Sequence, residues 1–269
     1  MPPNLRPWLL RAAVAAWLGL LVGLPVLTLL HRGLSHGPSG VLAILAQPAA
    51  RDALLLSLWT AVLASLANGL LGTAIAWALV RWDIPGRRAL AALVDLPLAI
   101  PTLVAGILLV ALFGPQTALG GWLVAHDWPV AFARPGIVLA LLFVTLPFVV
   151  RAVEPVLEEL DPAEEEAAAT LGARPATTFW RVLLPPILPA VAAGMVQTFA
   201  RSVAEFGSLA AVSGNIPHHT LVMPVWILGE VEAGNPEGAA AASVILLALA
   251  LALQPLSAAL ARRAGARHA

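Results

Sequence analysis

The 269-residue chain has no cysteine and, because all fifteen of its basic residues are arginine, no lysine. The missing cysteine excludes disulfides, cysteine-ligated metals and thiol nucleophiles, and it leaves the compartment open. The missing lysine excludes a P-loop, which needs one to reach nucleotide phosphates. If ATP drives this protein, another chain must hydrolyse it. Charge of either sign is scarce, at 11% of residues, against roughly 25% in a soluble domain. The formal net charge is zero, so nothing in the balance points to nucleic acid.

What is present in excess is hydrophobic residues, at 60%, with a mean hydropathy of +0.89. The charges cluster between apolar runs of about 20 residues, the length that crosses a bilayer as a helix. This pattern predicts an all-α polytopic membrane protein of about six transmembrane helices, over residues 12–30, 53–80, 89–113, 136–153, 186–212 and 238–261. The first run follows Arg6 and Arg11, as in a signal peptide, but it is longer than such a segment and has no clean cleavage site. Its Gly19 and Gly23 form a GxxxG pair suited to helix packing. The second run is long enough to tilt or protrude. Pro147 is expected to kink the fourth.

Arginine placement sets the expected orientation, because positive residues stay on the cytoplasmic side. With the N-terminus inside, eleven arginines are cytoplasmic and only Arg32, Arg51 and Arg134 lie opposite. Both termini are then cytoplasmic. The expected organisation is residues 1–52 as the N-terminal helix and external loop, 53–261 as a core of five spans, and 262–269 as a cytoplasmic tail. Within that core, residues 154–185 form a cytoplasmic loop.

That loop holds seven acids between Glu154 and Glu166. Asp161 is placed to cap a helix, Pro162 suits its first position and Glu164 has capping-box spacing. Ala167, Ala168 and Ala169 favour helix, and Gly172 supplies a left-handed stop. A ten-residue helix is marginal alone in water and needs something to pack on. An interfacial membrane helix would carry arginine or lysine on its polar face. This face is acidic, and an anionic leaflet repels it.

Glu166, Ala167 and Ala168, three residues, Gly172, nine residues, then Val182, a spacer, Leu184 and Pro185 resemble the EAA loop of ATP-binding-cassette importer permeases, with valine for the usual isoleucine. The segments DLPLAIPTLVAG (95–106), GIVLALLFVTLPFVVR (136–151) and AEFGSLAAVSGNIPHHT (204–220) are similar to the sulfate/thiosulfate and molybdate/tungstate permease branch, closest to the sulfate permeases. Sulfate permeases of two related kinds pair in one transporter, and features here resemble both. Ala204 stands where the family usually has glycine, which puts close backbone approach there in question. The resemblance implies a type I importer permease fold in the bacterial inner membrane, without catalytic residues. It also implies two ATPase subunits that bind ATP and magnesium, a second permease chain identical or homologous to this one, and an extracytoplasmic anion-binding protein. The loop would then be the ATPase-coupling element, dock in a groove on the ATPase and transmit its closure. A secondary anion transporter with paired broken helices and a non-transporting membrane scaffold are the rival classes; the sequence offers one candidate broken helix and no partner for it.

The residues open to a role on the anion path are few. Arg201 and Glu205 are four apart, so they would share a helix face. Intramembrane charges line a path or pair structurally, and the sequence leaves both readings open. Pro97, Pro101 and Gly106 interrupt the third span as a cavity-lining break or as a simple kink, the kink being the plainer expectation. Thr102 and Thr145 have hydroxyls that more often bond their own backbone. Asp95 is expected to be solvated. Gly214, Asn215 and Pro217 give an external loop turn chemistry, and the apolar stretch 221–229 after it is too short to span. His218 and His219 lack the further ligands that a zinc site needs.

Overall fold

The computed structural model describes residues 5–265, and side-chain surroundings for 8–262. Arg267 and the tail residues 266–269 lie outside the described residues, as do the side chains of Arg6 and Arg263. Among the described residues every regular element is helical: α1 (Leu5–Leu18), α2 (Leu24–Gly33), α3 (Gly37–Ala46), α4 (Pro48–Arg81), α5 (Arg87–Ala99), α6 (Thr102–Phe113), α7 (Ala118–Ala125), α8 (Arg134–Glu159), α9 (Pro162–Thr170), α10 (Pro175–Thr178), α11 (Leu184–Val203), α12 (Gly207–Val212), α13 (Met223–Glu232) and α14 (Pro236–Gly265). Single π-helical turns, Gly19–Gly23 and Phe179–Leu183, join α1 to α2 and α10 to α11.

Five continuous helices are long and apolar enough to cross a membrane: Trp8–Gly33, Pro48–Arg81, Arg134–Glu159, Pro175–Val203 and Pro236–Arg262. The third expected span, 89–113, is not a kinked helix. α5 and α6 meet at 110° across Ile100 and Pro101. Pro101 cannot donate to a helical ladder and biases Ile100 away from helical geometry; Ile100 is extended, at φ −81° and ψ 128°. The fifth span also differs from expectation, because it begins at Pro175 and stops at Val203, before the short α12. Pro147 and Pro155 are both accommodated inside one continuous α8.

The chain forms two compact units, one of residues 1–51 and 227–248, the other of residues 52–226 and 249–269. In the first, Gly33 at the end of α2 seats on α14, where an added Cβ would lie 2.7 Å from the Ala240 carbonyl oxygen and 2.6 Å from Val244. A Cβ added at Gly19 or Gly23 would meet nothing within 4 Å beyond their own helix, so no packing partner for the GxxxG pair lies among the described residues.

The second unit is built on α4, α8 and α11. A Cβ at Gly72 of α4 would meet Val149 of α8 at 2.8 Å, and one at Gly194 of α11 would meet the Val149 Cα at 2.9 Å. Apolar lipid gives helices no hydrophobic reason to associate, so close approach through small residues supplies the packing energy. Val149, Val150, Val153, Leu157, Leu183 and Ile187 fill the seam. Asn68 of α4 fastens α8 by donating to the Leu142 carbonyl at 3.1 Å and to Thr145 Oγ1 at 2.9 Å. Thr145 in turn donates to its own helix at Leu141, 2.7 Å away. Ser65 donates to the Met195 carbonyl of α11 at 2.7 Å.

Candidate functional site

The 160–185 segment is shorter than the sequence suggested, because Glu154, Glu158 and Glu159 belong to α8. Asp161 caps α9 by accepting from the Ala163 amide at 2.9 Å. Gly172 ends the helix at φ +78°, the left-handed conformation that costs other residues roughly 1–2 kcal/mol. The Ala173 amide reaches back to the Ala168 carbonyl at 3.0 Å and the Gly172 amide to Ala169 at 2.9 Å, the paired closure of a helix end. The chain then turns, and Pro175 starts α10, which runs through the π-turn into α11.

The EAA-like residues divide between two faces. Ala168, Val182 and Leu184 point inward, the first buried and the other two packed on the α4–α8–α11 core. Glu166, Ala167, Gly172 and Pro185 are exposed. So are Leu171, at 88%, and Trp180, at 66%. Both lie uncovered on the same segment as the exposed Glu164 and Glu166 carboxylates.

Residues that the spacing did not single out hold this segment in place. Arg81, the last residue of α4, sets Nη1 3.0 Å from Glu165 Oε1. Its guanidinium lies 5.8 Å from the centre of the Trp77 ring, one turn earlier. Trp77 meets Phe179 edge-to-face at 5.5 Å. Arg87 of α5 reaches Glu158 at 3.2 Å. The available signal was the Trp–Arg pair at i, i+4 on the last turns of a long helix, set against an acidic run.

Asp95 is not simply solvated. Arg151 of α8 holds it with two nitrogens, Nε to Oδ1 at 2.8 Å and Nη2 to Oδ2, and Arg151 Nη1 stands 4.0 Å from Glu154. This pair clamps α5 to α8 beside a cavity of about 570 Å³ lined by Leu98, Phe148, Arg151, Glu159, Gln197 and Ala261 among others.

Arg201 and Glu205 do pair, at 2.6 Å between Nη1 and Oε2, but not as residues of one helix. α11 ends at Val203, and Glu205 lies in the break before α12. Glu205 is fully buried, and its Oε1 accepts from both the Ser208 amide and the Ser208 hydroxyl at 2.9 Å. It therefore caps α12 while facing the half-buried Arg201. This break is a second interrupted segment, and no proline marks it in the sequence. The two interruptions meet, since a Cβ on Gly207 would fall 2.3 Å from Thr102 Oγ1 and 2.8 Å from the Leu103 amide. Gly106, one turn along α6, lies against Ser208 in the same way. Close backbone approach thus belongs to Gly207 and Gly106, while Ala204 is exposed. Pro101 adjoins this contact at the start of α6; Pro97 is buried within α5.

At the opposite end of α4, the 213–220 loop is tightly tied. Gly214, Asn215 and His218 have positive φ, at 78°, 53° and 63°. Asn215 Nδ2 donates to Ala210, and Thr220 Oγ1 accepts from the Ile216 amide. His218 Nδ1 sits 2.7 Å from Asp52 Oδ2, and Arg134 donates to the His219 carbonyl at 3.0 Å. Pro217 is exposed. Asp52, Arg134, His218 and His219 border a cavity of about 300 Å³. Residues 223–232 follow as α13, ten residues long.

Residues 68–265 match the family described as binding-protein-dependent transport system inner membrane component. The chain is 44% identical over 230 residues to a probable sulfate transport system permease protein CysT of Nephroselmis olivacea, covering 86% of this chain and 81% of that one. It is likewise 44% identical to the sulfate transport system permease protein CysT of Escherichia coli, covering 78% and 76%. It is 37% identical to the CysW counterpart of Synechocystis sp., covering 96% and 94%. A chain from a bacterial alginate ABC transporter, solved with an alginate-bound periplasmic protein, superposes with a TM-score of 0.77 at 20% identity, over 96% of this chain and 95% of that one. A chain of the MetNI methionine ABC transporter gives 0.57 at 19% identity, over 79% and 96%.

Proposed function

The chain belongs to the family of inner-membrane components of binding-protein-dependent transport systems, and from that premise we infer that it is the permease subunit of an ATP-driven sulfate importer. The observation that carries the substrate is the likeness to sulfate permeases of both kinds over most of their length. It is a multi-pass inner-membrane protein, and its family works with a substrate-binding protein and ATPase partners. We propose two ATPase subunits, which bind ATP and magnesium, and a second permease chain. This chain contributes no catalytic group. Both termini face the cytoplasm, as the arginine bias supports.

In this reading α9 and α10 form the docking element. Glu166, Ala167 and Leu171 face the ATPase, while Ala168, Val182 and Leu184 tie the element to the spans behind it. Closure of the ATPase pair moves the spans through this rigid segment. The two breaks that meet at Thr102 and Gly207 mark the path, because irregular backbone at membrane depth is tolerated where it is buried in protein or lines a cavity. Arg201 remains about 35% exposed beside a sealed Glu205, so part of its charge is open to a passing dianion. The 213–220 loop faces the binding protein.

Radiolabelled sulfate uptake in cells lacking the chain, and in cells with it restored, tests the assignment. Restored uptake that resists excess molybdate establishes it. Uptake abolished by molybdate reassigns the substrate to molybdate or tungstate, and absent uptake with all partners present returns the scaffold reading. Arg201→Gln at normal abundance is expected to slow uptake at least fivefold; an unchanged rate removes Arg201 from the path.

A further inference from the structure

Arg81 and Trp77 are one turn apart on α4, and they touch both halves of the docking element. Arg81 meets α9 through Glu165, and Trp77 meets the α10–α11 junction through Phe179. More than eighty residues of chain separate these partners, so the contact is tertiary. It is also sheltered, with the Arg81 side chain only 16% exposed and that of Glu165 34%. Coulomb attraction is stronger there than between exposed charges. The guanidinium over the indole adds a second attachment, of the kind that strengthens on desolvation.

The contact is incomplete as a hydrogen-bonded site. Arg81 Nε and Nη2 are buried without a hydrogen-bond partner, and Glu165 Oε1 has the charge of Arg81 nearby but no well-aligned donor. Buried donors left unmet favour any rearrangement that supplies acceptors.

We propose that the Arg81–Glu165 pair, backed by Trp77 and Phe179, is the internal relay between the docking element and α4. As the docking element moves it carries Glu165 with it, and the pair converts that movement into displacement of α4. Arg81 acts through Glu165 and is a positioning residue, not a substrate contact. This deepens the coupling role proposed above and rests on it.

The experiment uses the full transporter, with its ATPase, second permease and binding protein, in proteoliposomes. Sulfate moved per ATP hydrolysed is measured at equal amounts of assembled complex. Arg81→Gln and Glu165→Gln are each expected to keep assembly and hydrolysis within about twofold while the sulfate-to-ATP ratio falls at least fivefold. The exchange Arg81→Glu with Glu165→Arg is expected to recover at least half of the loss, and Trp77→Leu to give an intermediate ratio. An unchanged ratio in both single variants overturns the relay. So does loss of assembly in them, because it makes the pair a fold anchor. Leu171→Asp, on the exposed face and away from the pair, separates this outcome from failure of the docking reading. If that variant still binds the ATPase and transports normally, the docking reading itself is wrong, whatever Arg81 does.

Discussion

Gly106→Ala places a methyl group where two helices meet backbone to backbone. An ideal Cβ at Gly106 lies 2.4 Å from the Ser208 carbonyl oxygen, 2.8 Å from its Cα and 2.9 Å from the Ala211 Cβ, while ordinary contact begins near 3.4 Å. α12 must therefore retreat from α6 by about 1 Å, and a gap of that size forfeits a quarter to a half of each contact's attraction. Two of the three obstacles are main-chain atoms, so no rotamer change relieves the clash. Overpacking of this kind costs roughly 1–3 kcal/mol, and the rigid obstacles place the cost in the upper half. Alanine recovers up to about 1 kcal/mol of helix propensity, leaving a net loss near 2 kcal/mol. At roughly 2–4 °C per kcal/mol for a chain of this size, the melting midpoint in detergent falls by about 5 °C. The Glu205–Ser208 cap and the 2.8 Å bond from the Phe132 amide to the Val212 carbonyl sit on the displaced segment, so uptake falls too. Gly229→Ala is the control, because its Cβ would meet nothing within 4 Å and its midpoint should hold or rise. A Gly106→Ala midpoint within 1 °C of the unmodified chain would refute the contact.

Glu205→Ala strips a buried acceptor from Ser208 and leaves Arg201 unpaired. Breaking a fully buried pair costs about 3–5 kcal/mol, and the partial exposure of Arg201 lowers this to about 2–3 kcal/mol; Glu205→Gln, which still accepts from Ser208, should melt between it and the unmodified chain. Asn68→Leu removes two bonds from α4 to α8 and should cost about 1 kcal/mol by the same melt, given how little interhelical bonds contribute in membranes. Gly172→Ala forces a side chain into left-handed geometry at roughly 1–2 kcal/mol. Since nothing lies within 4 Å of that position, the cost is purely conformational; by the same conversion it should lower the melting midpoint by about 2–8 °C, together with several-fold weaker ATPase co-purification.

The spans and the short helix α9 were legible because each rests on local chemistry. Asp161 caps, Pro162 starts and Gly172 stops a helix through their own backbone preferences, and arginine-flanked apolar runs declare membrane spans without a partner. Pro101 signalled an interruption, but its 110° bend is set by where α12 sits against α6, which is a tertiary fact. The break at 204–206 had no proline to announce it. There Glu205 lies between α11 and α12 and its carboxylate accepts from Ser208, a contact that helical periodicity does not foretell. Asp95 looked like a solvated interface acid because its partner, Arg151, is 56 residues away in sequence. Arg81 escaped notice for the same reason.

The ion pairs at the Arg81 end of the second unit leave a particular remainder. Glu158 faces Arg87, Asp95 and Glu154 face Arg151, and Glu165 faces Arg81. Asp161 is occupied as a helix cap. Asp83, Glu159, Glu164 and Glu166 stay exposed, the last two on α9 and close in sequence to an almost fully exposed Leu171. An anionic lipid surface would repel those carboxylates, and water alone gives Leu171 nothing. A protein surface that is basic around an apolar pocket satisfies Glu164, Glu166 and Leu171. Two classes of contact then respond differently to salt. Exposed charges are screened over about 10 Å at 0.1 M and about 3 Å at 1 M, and sheltered pairs much less. Raising salt should loosen the ATPase from this chain several-fold while the melting midpoint, to which the sheltered Arg81–Glu165 pair contributes, barely moves. An association indifferent to salt would mean that Leu171 and its apolar neighbours hold the partner and that Glu164 and Glu166 serve only to keep the segment in water.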